Sequence, residues 1–423
     1  MFQDDLPARV RVLVIGGGIH GVGVLHDLAS RGWKDIHLVE KNTIGSGTSS
    51  RSTKLIHGGL RYLKRISDFG LVSEALYERH LLQTLAPDLV KPVEFLFPVL
   101  TDKGLPKWQV KIGLSLYDRL AGKYNIRKHK IMEKSEIAKR ASILDEGKVS
   151  AVYSFWDAQT DDLGLVYRVA FSAKKLGVSI TENVAVVGIR ATDDGWKVTL
   201  KDSNGALKEI STLYLVNTLG PWANKILEDS GIAPTHRAIN NKGSHLILRD
   251  LGLTNGLFLQ SFRGDGRIFF LLPWFGKTLL GTTEKVFEDS LDKVTISGDE
   301  IEYLLENINY FLKEPLQVAD VESTFAGLRW LPIEKGLTIT QISRSHVIGE
   351  IACRRGLMLT VYGGKLTTYR SLAAEVGDIV FKHFGDHTKS KTHLQTLWAQ
   401  QNESPLPPEM EKRFEHFDQV GTN

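Results

Sequence analysis

The stretch VRVLVIGGGIHGVGVLHDLASRGWKDIHLVEKN, residues Val10–Asn42, decides how the fold begins. Its start, Val10–Ile15, is rich in β-branched apolar residues and is typical of a strand that is buried on both faces. Glycines follow, then apolar residues at helical spacing through Val24–Leu28, and then a second apolar run at Ile36–Val39. The stretch therefore predicts a strand, a tight turn, a helix and a second strand, which together open an α/β fold.

The turn of this unit contains the spacing GxGxxG, formed by Gly16, Gly18 and Gly21, and Glu40 ends the second strand. The first glycine permits the tight turn, the second lets the backbone approach a pyrophosphate, and the third lets helix and strand pack closely. The helix N-terminus then faces the phosphates, and the acid accepts hydrogen bonds from ribose hydroxyls. In this context the motif predicts a dinucleotide site, and the acid argues against NADP without separating NAD from FAD. A glycine-rich turn without a ligand is the alternative.

The composition limits the class of protein. The chain has 423 residues, of which 42% are hydrophobic and 24% charged, as in a globular protein of two or three domains. Cys353 is its single cysteine, so neither an intramolecular disulfide nor a cysteine-rich metal site is expected. The N-terminal residues are acidic where a signal peptide is basic, and no stretch approaches the ~18 apolar residues of a spanning helix. We expect a protein of the cytosol or of the cytosolic face of a membrane, without nucleic-acid binding, because the net charge is only +4.

Positive charge is concentrated in residues 103–134. The segment has two acidic residues, Asp118 and Glu133, and its surplus of seven positive charges exceeds that of the whole chain. Such a segment is expected to meet an anionic surface outside the protein. Its basic residues are Lys103, Lys107, Lys111, Arg119, Lys123, Arg127, Lys128, Lys130 and Lys134.

Two later stretches, residues 213–226 and 356–384, repeat the strand, glycine and helix pattern. Three such units imply one sheet that the chain visits three times, with β-rich segments inserted between the visits. We therefore predict an α/β nucleotide-binding domain that carries an antiparallel substrate domain. The predicted division is 1–90, 150–225 and 345–385 for the nucleotide-binding domain, 91–149 and 226–344 for the substrate domain, and 386–423 for a short tail.

Apolar periodicity predicts helices at residues 69–85, 108–120 and 301–312, and a hairpin is predicted around Phe275–Gly276. The helix 108–120 has an apolar stripe at a spacing of four residues. The stripe is either the buried face of a core helix or a surface that enters the headgroup region of a membrane. Its residues are Trp108, Ile112, Leu116 and Leu120.

Longer motifs occur in order along the chain: GGGIHGVG (16–23), TSSRSTKLIHGGLRYL (48–63), LVSEALYER (71–79), KGSHLIL (242–248), LPWFGKTLLGTTE (272–284), AGLRWLP (326–332), SRSHVI (343–348) and YGGKLTTYR (362–370). On these motifs, over roughly residues 10–385, the sequence resembles the FAD-dependent glycerol-3-phosphate dehydrogenase family, the respiratory, quinone-linked type. The resemblance implies a Rossmann-like FAD-binding domain of the glutathione-reductase type with an inserted antiparallel-β substrate domain. It also implies FAD as cofactor, sn-glycerol 3-phosphate as substrate, dihydroxyacetone phosphate as product and quinone as electron acceptor.

The sequence departs from the family pattern at two places. Trp330 follows Arg329 where the family usually has proline, and we expect this change to reshape the wall of the pocket. Only 39 residues follow Phe384, whereas family members usually continue into a helical domain.

A sugar phosphate requires fixed cations, and arginine suits this role because its planar guanidinium donates bidentately to phosphate oxygens. By resemblance, Arg61 of GGLRYL and Arg329 of AGLRWL hold the substrate phosphate, and Arg344 of SRSH is a third candidate. The alternative for an arginine is a surface salt bridge. Tyr62 is expected to donate to a substrate oxygen, with core packing as its alternative.

Oxidation of the substrate carbinol removes a hydride and a hydroxyl proton, and the flavin takes the hydride because no side chain can. His57 and His245 are the candidate proton acceptors, since a neutral imidazole accepts a proton near pH 7. Lys365 is expected to orient the substrate oxygen or to stabilise negative charge on the flavin. The alternative for each histidine is a structural role, and His57 has packing against the flavin as a further one.

Two segments are expected to border the cofactor. The loop TSSRSTK places Ser49 and Ser50 near the pyrophosphate, and the turn YGGKLTT aims the next helix N-terminus at the flavin carbonyls. Thr367 is a cofactor neighbour or only a helix cap. The full predicted cofactor-binding set is Gly16, Gly18, Gly21, Glu40, Ser49, Ser50, His57, Gly58, Gly59, Gly220, Gly364, Lys365, Leu366 and Thr367.

A quinone acceptor lies in the bilayer, so we expect the basic segment to dock on the anionic cytosolic face of the inner membrane without crossing it. A homodimer is left open. Three rival functions also remain open: an oxidase that passes electrons to oxygen, an amine or amino-acid oxidase of the same superfold, and a non-catalytic FAD-binding scaffold.

Overall fold

Two mixed β-sheets with helices packed against them form the fold. The computed structural model describes residues 2–63, 65–333 and 345–398. The helices of this part of the chain are α1 (Ile19–Ser30), α2 (Phe69–Leu85), α3 (Lys107–Ala121), α4 (Lys134–Arg140), α5 (Asp162–Lys175), α6 (Ala223–Asp229), α7 (Gly298–Asn309) and α8 (Tyr369–Phe384). Its strands are β1 (Arg9–Ile15), β2 (Ile36–Val39), β3 (Leu55–Ile56), β4 (Val90–Leu100), β5 (Lys130–Ile131), β6 (Val149–Thr160), β7 (Ser179–Thr181), β8 (Val184–Thr192), β9 (Gly195–Asp202), β10 (Leu207–Asn217), β11 (Ala238–Leu248), β12 (Gly256–Gln260), β13 (Ile268–Trp274), β14 (Lys277–Gly281), β15 (Lys285–Val286), β16 (Val321–Pro332), β17 (His346–Ala352) and β18 (Leu357–Gly363).

The first sheet has the order β17-β18-β10-β1-β2-β7, and its central pairs from β18 to β7 are parallel. Helices α1, α5 and α8 pack together on one face, where they bury an aliphatic core. The hairpin β8–β9, which joins the sheet through β10, contributes to a second core that contains Trp196 and Leu215. Strands β1, β10 and β18 are the three predicted visits to one sheet, so the predicted α/β nucleotide-binding fold is confirmed.

The opening unit folds as its sequence predicts. Strand β1 covers the predicted Val10–Ile15, and β2 has the predicted bounds Ile36–Val39. A side chain at Gly21 would overlap the carbonyl oxygen of Gly16, so glycine is required for helix α1 to lie this close to the end of β1.

The second sheet has the order β15-β11-β14-β13-β12-β4-β6-β3, with β16 paired to β11 and β5 paired to β6. Its longest ladder joins β4 and β6 antiparallel, from Val90 opposite Thr160 to Leu100 opposite Val149. Buried residues of α3 pack in the core on one face, and buried residues of α7 pack in the core on the other. The predicted hairpin at Phe275–Gly276 joins β13 to β14.

One predicted domain boundary does not follow the sheets. All of strand β6 except Val149 lies within the range 150–225 that was predicted for the nucleotide-binding domain, but the strand pairs with β4 in the second sheet. The short strand β3, within the range 1–90, pairs with β6 in the same sheet. A buried apolar strand has the same sequence pattern in either sheet, so pattern alone did not assign it. The division into two domains otherwise stays a prediction.

Helix α2 has its predicted bounds, whereas α7 begins and ends three residues before the predicted 301–312. Helix α3 buries Val110, Leu114 and Tyr117, and leaves Trp108 and Ile112 exposed by 65% and 59%. Of the Trp108 stripe, Trp108 and Ile112 are therefore not on the core face, whereas Leu116 and Leu120 are partly buried. In the ranges 2–63, 65–333 and 345–398, none of the helices combines the length and the apolar character that crossing a membrane requires.

Candidate active site

A cavity of about 700 Å³ lies between the carboxyl ends of the parallel strands of the first sheet and the second sheet. The parallel sheet contributes the residues that follow its strands, including Gly16 after β1, Glu40 after β2 and Thr218 after β10. Such a crevice at the carboxyl ends of strands is the usual ligand site of an open α/β sheet. The cavity is lined by these sequence-predicted residues: Gly16, Gly18, Glu40, Ser49, His57, Arg61, Tyr62, Gly220, His245, Arg329, Gly364, Lys365, Leu366 and Thr367.

One end of the cavity is a glycine cradle at the N-terminus of α1. The Oγ of Ser49 accepts a hydrogen bond of 2.9 Å from the backbone N–H of Ile19, in the first turn of the helix. The carboxylate of Glu40 accepts from the N–H of Gly17 at 2.7 Å and from that of Asn42 at 2.9 Å. Burial nevertheless raises the pKa of Glu40, and the two N–H donors oppose that rise. An acid at the strand end, a helix N-terminus and a side-chain-free turn fit the adenosine and pyrophosphate of FAD.

The turn YGGKLTT forms a second cradle. Gly364 has a φ of +88°, and a Cβ there would lie 2.6 Å from the ring of His20. Thr367 does not cap a helix: its Oγ1 accepts from the N–H of His57 at 3.3 Å. Thr368 is the N-cap of α8, again without a side-chain capping bond. The turn is thereby fastened to the loop that carries His57, and the glycine lets its backbone approach the ring of His20 closely.

Three predicted cations line the cavity. Arg61 donates to Oε1 of Glu284 at 3.3 Å and to the Oη of Tyr62 at 2.9 Å. The Nζ of Lys365 lies 4.3 Å from the centre of the Tyr62 ring, and the Cζ of Arg61 lies 4.9 Å from it. Tyr62 is therefore in contact with two cations at once, an arrangement that its aromatic ring stabilises.

Arg329 is held from the second sheet. Its Nη2 donates to Oγ1 of Thr282 at 3.0 Å, and its Nη1 donates to the carbonyl of Thr283 at 3.4 Å. Gly243 makes room for this guanidinium, because a Cβ at that position would lie 2.5 Å from Nη2. Arg61 and Arg329 are thus cavity-lining, partly buried groups, which differs from the surface salt bridge considered as their alternative.

His245 is buried and His57 is partly buried, and the pKa of each imidazole is lowered. Burial, followed by the nearby Lys365, Arg61 and Arg79, lowers the pKa of His57 to about 3. Burial, followed by Arg329 and Lys54, lowers the pKa of His245 well below its usual value.

The ring of His245 stacks on Phe325, with centroids 4.6 Å apart, and its Nε2 lies 2.9 Å from Oγ1 of Thr53. In the described residues its Nδ1 is buried without a hydrogen-bond partner. His245 therefore has one ring nitrogen placed by the protein and one with capacity for a further hydrogen bond.

Four predicted cofactor residues do not line the cavity. Gly21 packs helix α1 on β1, and the Oγ of Ser50 contacts the carbonyl of Gly47 at 3.5 Å. Gly58 and Gly59 lie behind the cavity wall, where the N–H of Gly58 donates to Oδ1 of Asp157 at 3.2 Å. Arg344, the third arginine candidate, lies outside the described residues.

Sequence reasoning missed His20 and Glu284. His20 lines the cavity, and burial, followed by the charge of His346, lowers its pKa to about 4. It occupies a variable position of the GxGxxG motif, and the motif assigns roles to its glycines only. Glu284 ends the motif LGTTE, and only the fold brings it to Arg61. Trp330 lines the cavity and stacks on Tyr362 at 4.6 Å, so the departure from proline builds a packed aromatic wall.

Comparison with known proteins places these observations in a family. A family model described as FAD dependent oxidoreductase (DAO) matches residues 11–370. A glycerol-3-phosphate dehydrogenase from a Synechocystis strain is 33% identical over 388 residues, covering 88% of this chain and 69% of the relative. A D-erythritol 1-phosphate dehydrogenase from Brucella abortus is 35% identical over 371 residues, covering 87% and 72%. The solved structure of glycerol-3-phosphate dehydrogenase from Bacillus halodurans with FAD is similar, with a TM-score of 0.73, 25% identity, and coverage of 92% of this chain and 68% of that one.

The lowered pKa values of His57 and His245 predict that neither imidazole titrates in the usual range of a histidine. A histidine whose folded-state pKa is lowered gains its proton only far below the usual value of about 6.5. Selective 15N labelling of histidine should therefore show no titration for the two resonances that disappear in His57→Gln and His245→Gln. A midpoint between pH 6 and 7 for either resonance would contradict this reading of the site.

Proposed function

Because this chain belongs to the FAD-dependent oxidoreductase family and uses FAD, we propose that it oxidises sn-glycerol 3-phosphate to dihydroxyacetone phosphate. One observation carries the proposal: Arg61, Arg329 and Lys365 meet two neutral histidines in the cavity that continues from the glycine cradle. Cations recognise a phosphate, and a neutral imidazole takes a proton from a hydroxyl, so the two together suit a phosphorylated alcohol.

The two arginines bind the phosphate in this proposal. Their contacts to Tyr62 and Glu284, and to Thr282 and Thr283, hold each guanidinium in a set direction before substrate arrives. Preorganised donors lose less entropy on binding than free side chains do. The carboxylate of Glu284 offsets part of the charge of Arg61, which lowers the cost of keeping the site without an anion.

FAD, when bound, supplies the hydride acceptor. His57 or His245 accepts the proton of the substrate hydroxyl, and Lys365 orients the oxygen that becomes the carbonyl. Burial lowers the pKa of these histidines most, and the arginines that bind phosphate in this proposal lower it further. A phosphate dianion cancels part of that field, so the histidine becomes a stronger base when substrate is in place. Substrate binding and proton acceptance are therefore coupled through charge.

A second candidate substrate is D-erythritol 1-phosphate, because one relative acts on it by name at 35% identity. Both compounds are phosphate monoesters of small polyols, so the arginines serve either one.

Quinone is the proposed electron acceptor, with oxygen as the alternative. The support is the outer face of α3, where Trp108 and Ile112 are exposed beside Lys107 and Lys111. Apolar side chains among lysines suit the headgroup layer of an anionic membrane. We propose peripheral docking by this face on the cytosolic surface of the inner membrane, which would bring the cofactor close to quinone.

Anaerobic bleaching of the flavin absorbance tests the proposed function. Glycerol 3-phosphate should bleach the FAD-loaded protein fast, glycerol only slowly and amino acids not at all, because these compounds lack the phosphate that the arginines bind. D-erythritol 1-phosphate, run beside it, decides which polyol phosphate is preferred. Bleaching by an amino acid, or by none of these compounds, would overturn the proposal.

Arg329→Ala should weaken apparent affinity for glycerol 3-phosphate at least tenfold, because a charge-assisted hydrogen bond is worth about 1.5–3 kcal/mol. Slow reduction by unphosphorylated glycerol should hardly change. Arg249→Ala is the matched control, since this arginine pairs with Asp320 and is 55% exposed. Equal losses on both substrates would show that Arg329 acts on the fold or the chemistry instead of the phosphate.

The variant Lys107→Glu, Lys111→Glu should lose binding to anionic vesicles while its flavin is reduced at the wild-type rate. Wild-type binding should weaken as salt rises, because surface charge is screened. Trp108→Ser should weaken vesicle binding at low and at high salt alike, because it removes an apolar contact and no charge. The controls are Lys201→Glu with Lys208→Glu, which removes the same exposed charge elsewhere, and Leu207→Ser, which removes a side chain that is 65% exposed. Vesicle binding that is unchanged in the α3 variants would exclude this face as the docking surface.

A further inference from the structure

A buried charged cluster fastens the loop between His57 and Arg61 from behind. The N–H of Gly58 donates to Oδ1 of Asp157 at 3.2 Å. The same carboxylate accepts from Nη1 of Arg79 at 2.8 Å and from the Oη of Tyr117, which lies 2.8 Å from Oδ2. One carboxylate therefore joins the loop to helix α2 through Arg79 and to helix α3 through Tyr117.

The three side chains are inside the protein and outside the wall of the cavity. Arg79, Tyr117 and Asp157 are exposed by 0%, 2% and 3%, and none of them lines the 700 Å³ cavity. Arg79 also donates to the backbone carbonyls of Trp156 at 3.2 Å and Tyr124 at 3.1 Å, so its position is determined by several elements.

The cluster also limits how near the loop can come. A Cβ at Gly58 would lie 2.5 Å from the Oη of Tyr117 and 2.5 Å from the side chain of Leu76. Gly59 follows with a φ of +83°, which turns the chain toward Arg61 and suits glycine. A hydrogen bond holds Gly58 against the cluster, and side-chain contact stops it from moving closer.

Stability alone is a poor reason for such a cluster. A buried ion pair loses much of its attraction to the cost of desolvation, and apolar side chains of similar volume often serve the fold as well or better. The ion pair of Asp157 and Arg79 instead fixes the orientation of the loop. Its carboxylate holds the N–H of Gly58, which lies between the cavity residues His57 and Arg61. The N–H of His57, one residue earlier, is bound to Oγ1 of Thr367, so the loop is held from two sides.

We propose that Asp157, Tyr117 and Arg79 are positioning residues, which hold the loop so that His57 and Arg61 face the substrate together. The proposal rests on the proposed function for the identity of the substrate. The positions of Arg61 and His57 can be tested without that substrate. Binding of inorganic phosphate measures whether Arg61 is correctly placed, and it needs no turnover.

Tyr117→Phe tests the proposal, because it keeps the ring and removes the hydroxyl that reaches Asp157. Tyr153→Phe is the matched control: Tyr153 lies in the same core, is exposed by 4%, and donates to the carbonyl of Lys107 at 3.3 Å without touching the loop. Inorganic phosphate is titrated into each FAD-loaded protein by calorimetry, and anaerobic flavin reduction by glycerol 3-phosphate is timed. We expect phosphate binding about fivefold weaker and flavin reduction about tenfold slower in Tyr117→Phe, since a misplacement of about 1 Å can cost ~10²-fold in rate.

Unfolding temperature and FAD content separate positioning from folding. Both should match between Tyr117→Phe and Tyr153→Phe, whereas phosphate binding and reduction should fall only in Tyr117→Phe. Equal phosphate affinity and equal reduction rates in the two variants would overturn the proposal, as would a loss in Tyr117→Phe that is matched by loss of FAD. Asp157→Asn, which keeps the shape and removes the charge, should show the same pattern more strongly if it folds.

The two proposals fail in different ways. A wild-type protein that glycerol 3-phosphate does not reduce would sink the proposed function, while the phosphate titration would still judge the positioning of Arg61. A wild-type protein that is reduced, with Tyr117→Phe indistinguishable from it, would leave the function standing and remove the positioning role.

Discussion

The contact between helix α1 and the ends of β1 and β10 is the constraint on which the rest of the site depends. Gly21 must lack a side chain because the carbonyl of Gly16 occupies that space, and the Oγ1 of Thr218 donates to the carbonyls of Ile15 and Gly16 at 2.9 Å. This packing places the first N–H groups of α1 at the edge of the parallel sheet. The cavity, the glycine cradle and the position of Ser49 all follow from it.

The second organising feature is electrostatic. Arg61, Arg329 and Lys365 concentrate positive charge around a cavity whose histidines are kept neutral by burial and by those same cations. Such a site is incomplete without an anion, because gathering like charges in a partly buried place is unfavourable. Glu284 and the ring of Tyr62 offset part of this cost. Binding of a dianionic ligand would offset the remaining repulsion among the cations. This surplus of positive charge is the reason for proposing a phosphate ester as substrate in place of a neutral alcohol or a carboxylate with a single charge.

Helix α3 connects the proposed docking surface with the charged cluster behind the active-site loop, two regions that the sequence does not link. Its outer side carries Trp108, Ile112 and lysines, and its inner side carries Tyr117, which reaches the carboxylate behind the active-site loop. A single helix thus contributes both to the proposed docking surface and to the proposed positioning of His57 and Arg61.

Sequence alone predicted the opening βαβ unit, the three visits to the first sheet and the hairpin at Phe275–Gly276, and most of the site residues that it predicted line the cavity. These features are encoded by neighbours in the chain: apolar runs, glycine spacing and motifs of a few residues. Local patterns failed where long-range contacts decide. They could not say which sheet takes β6, because a buried strand has the same pattern in either sheet. They also left open which side of α3 is buried, because Trp108 and Ile112 match the helical period as well as Leu114 and Tyr117 do.

The contact partners of each site residue were decided only by the tertiary structure. Glu284 lies beside Arg61 across 223 residues of chain, Thr53 beside His245 across 192, and Asp157 beside Gly58 across 99. The spacing of these residues in the sequence does not predict the pairings. The pairings arise because segments that are distant in the chain become neighbours in the fold. The sequence by itself determined which chemical groups would be available and what cofactor they would face. The fold determined which of them touch, and therefore which arginine is oriented, which histidine is hydrogen-bonded and how the loop between them is held.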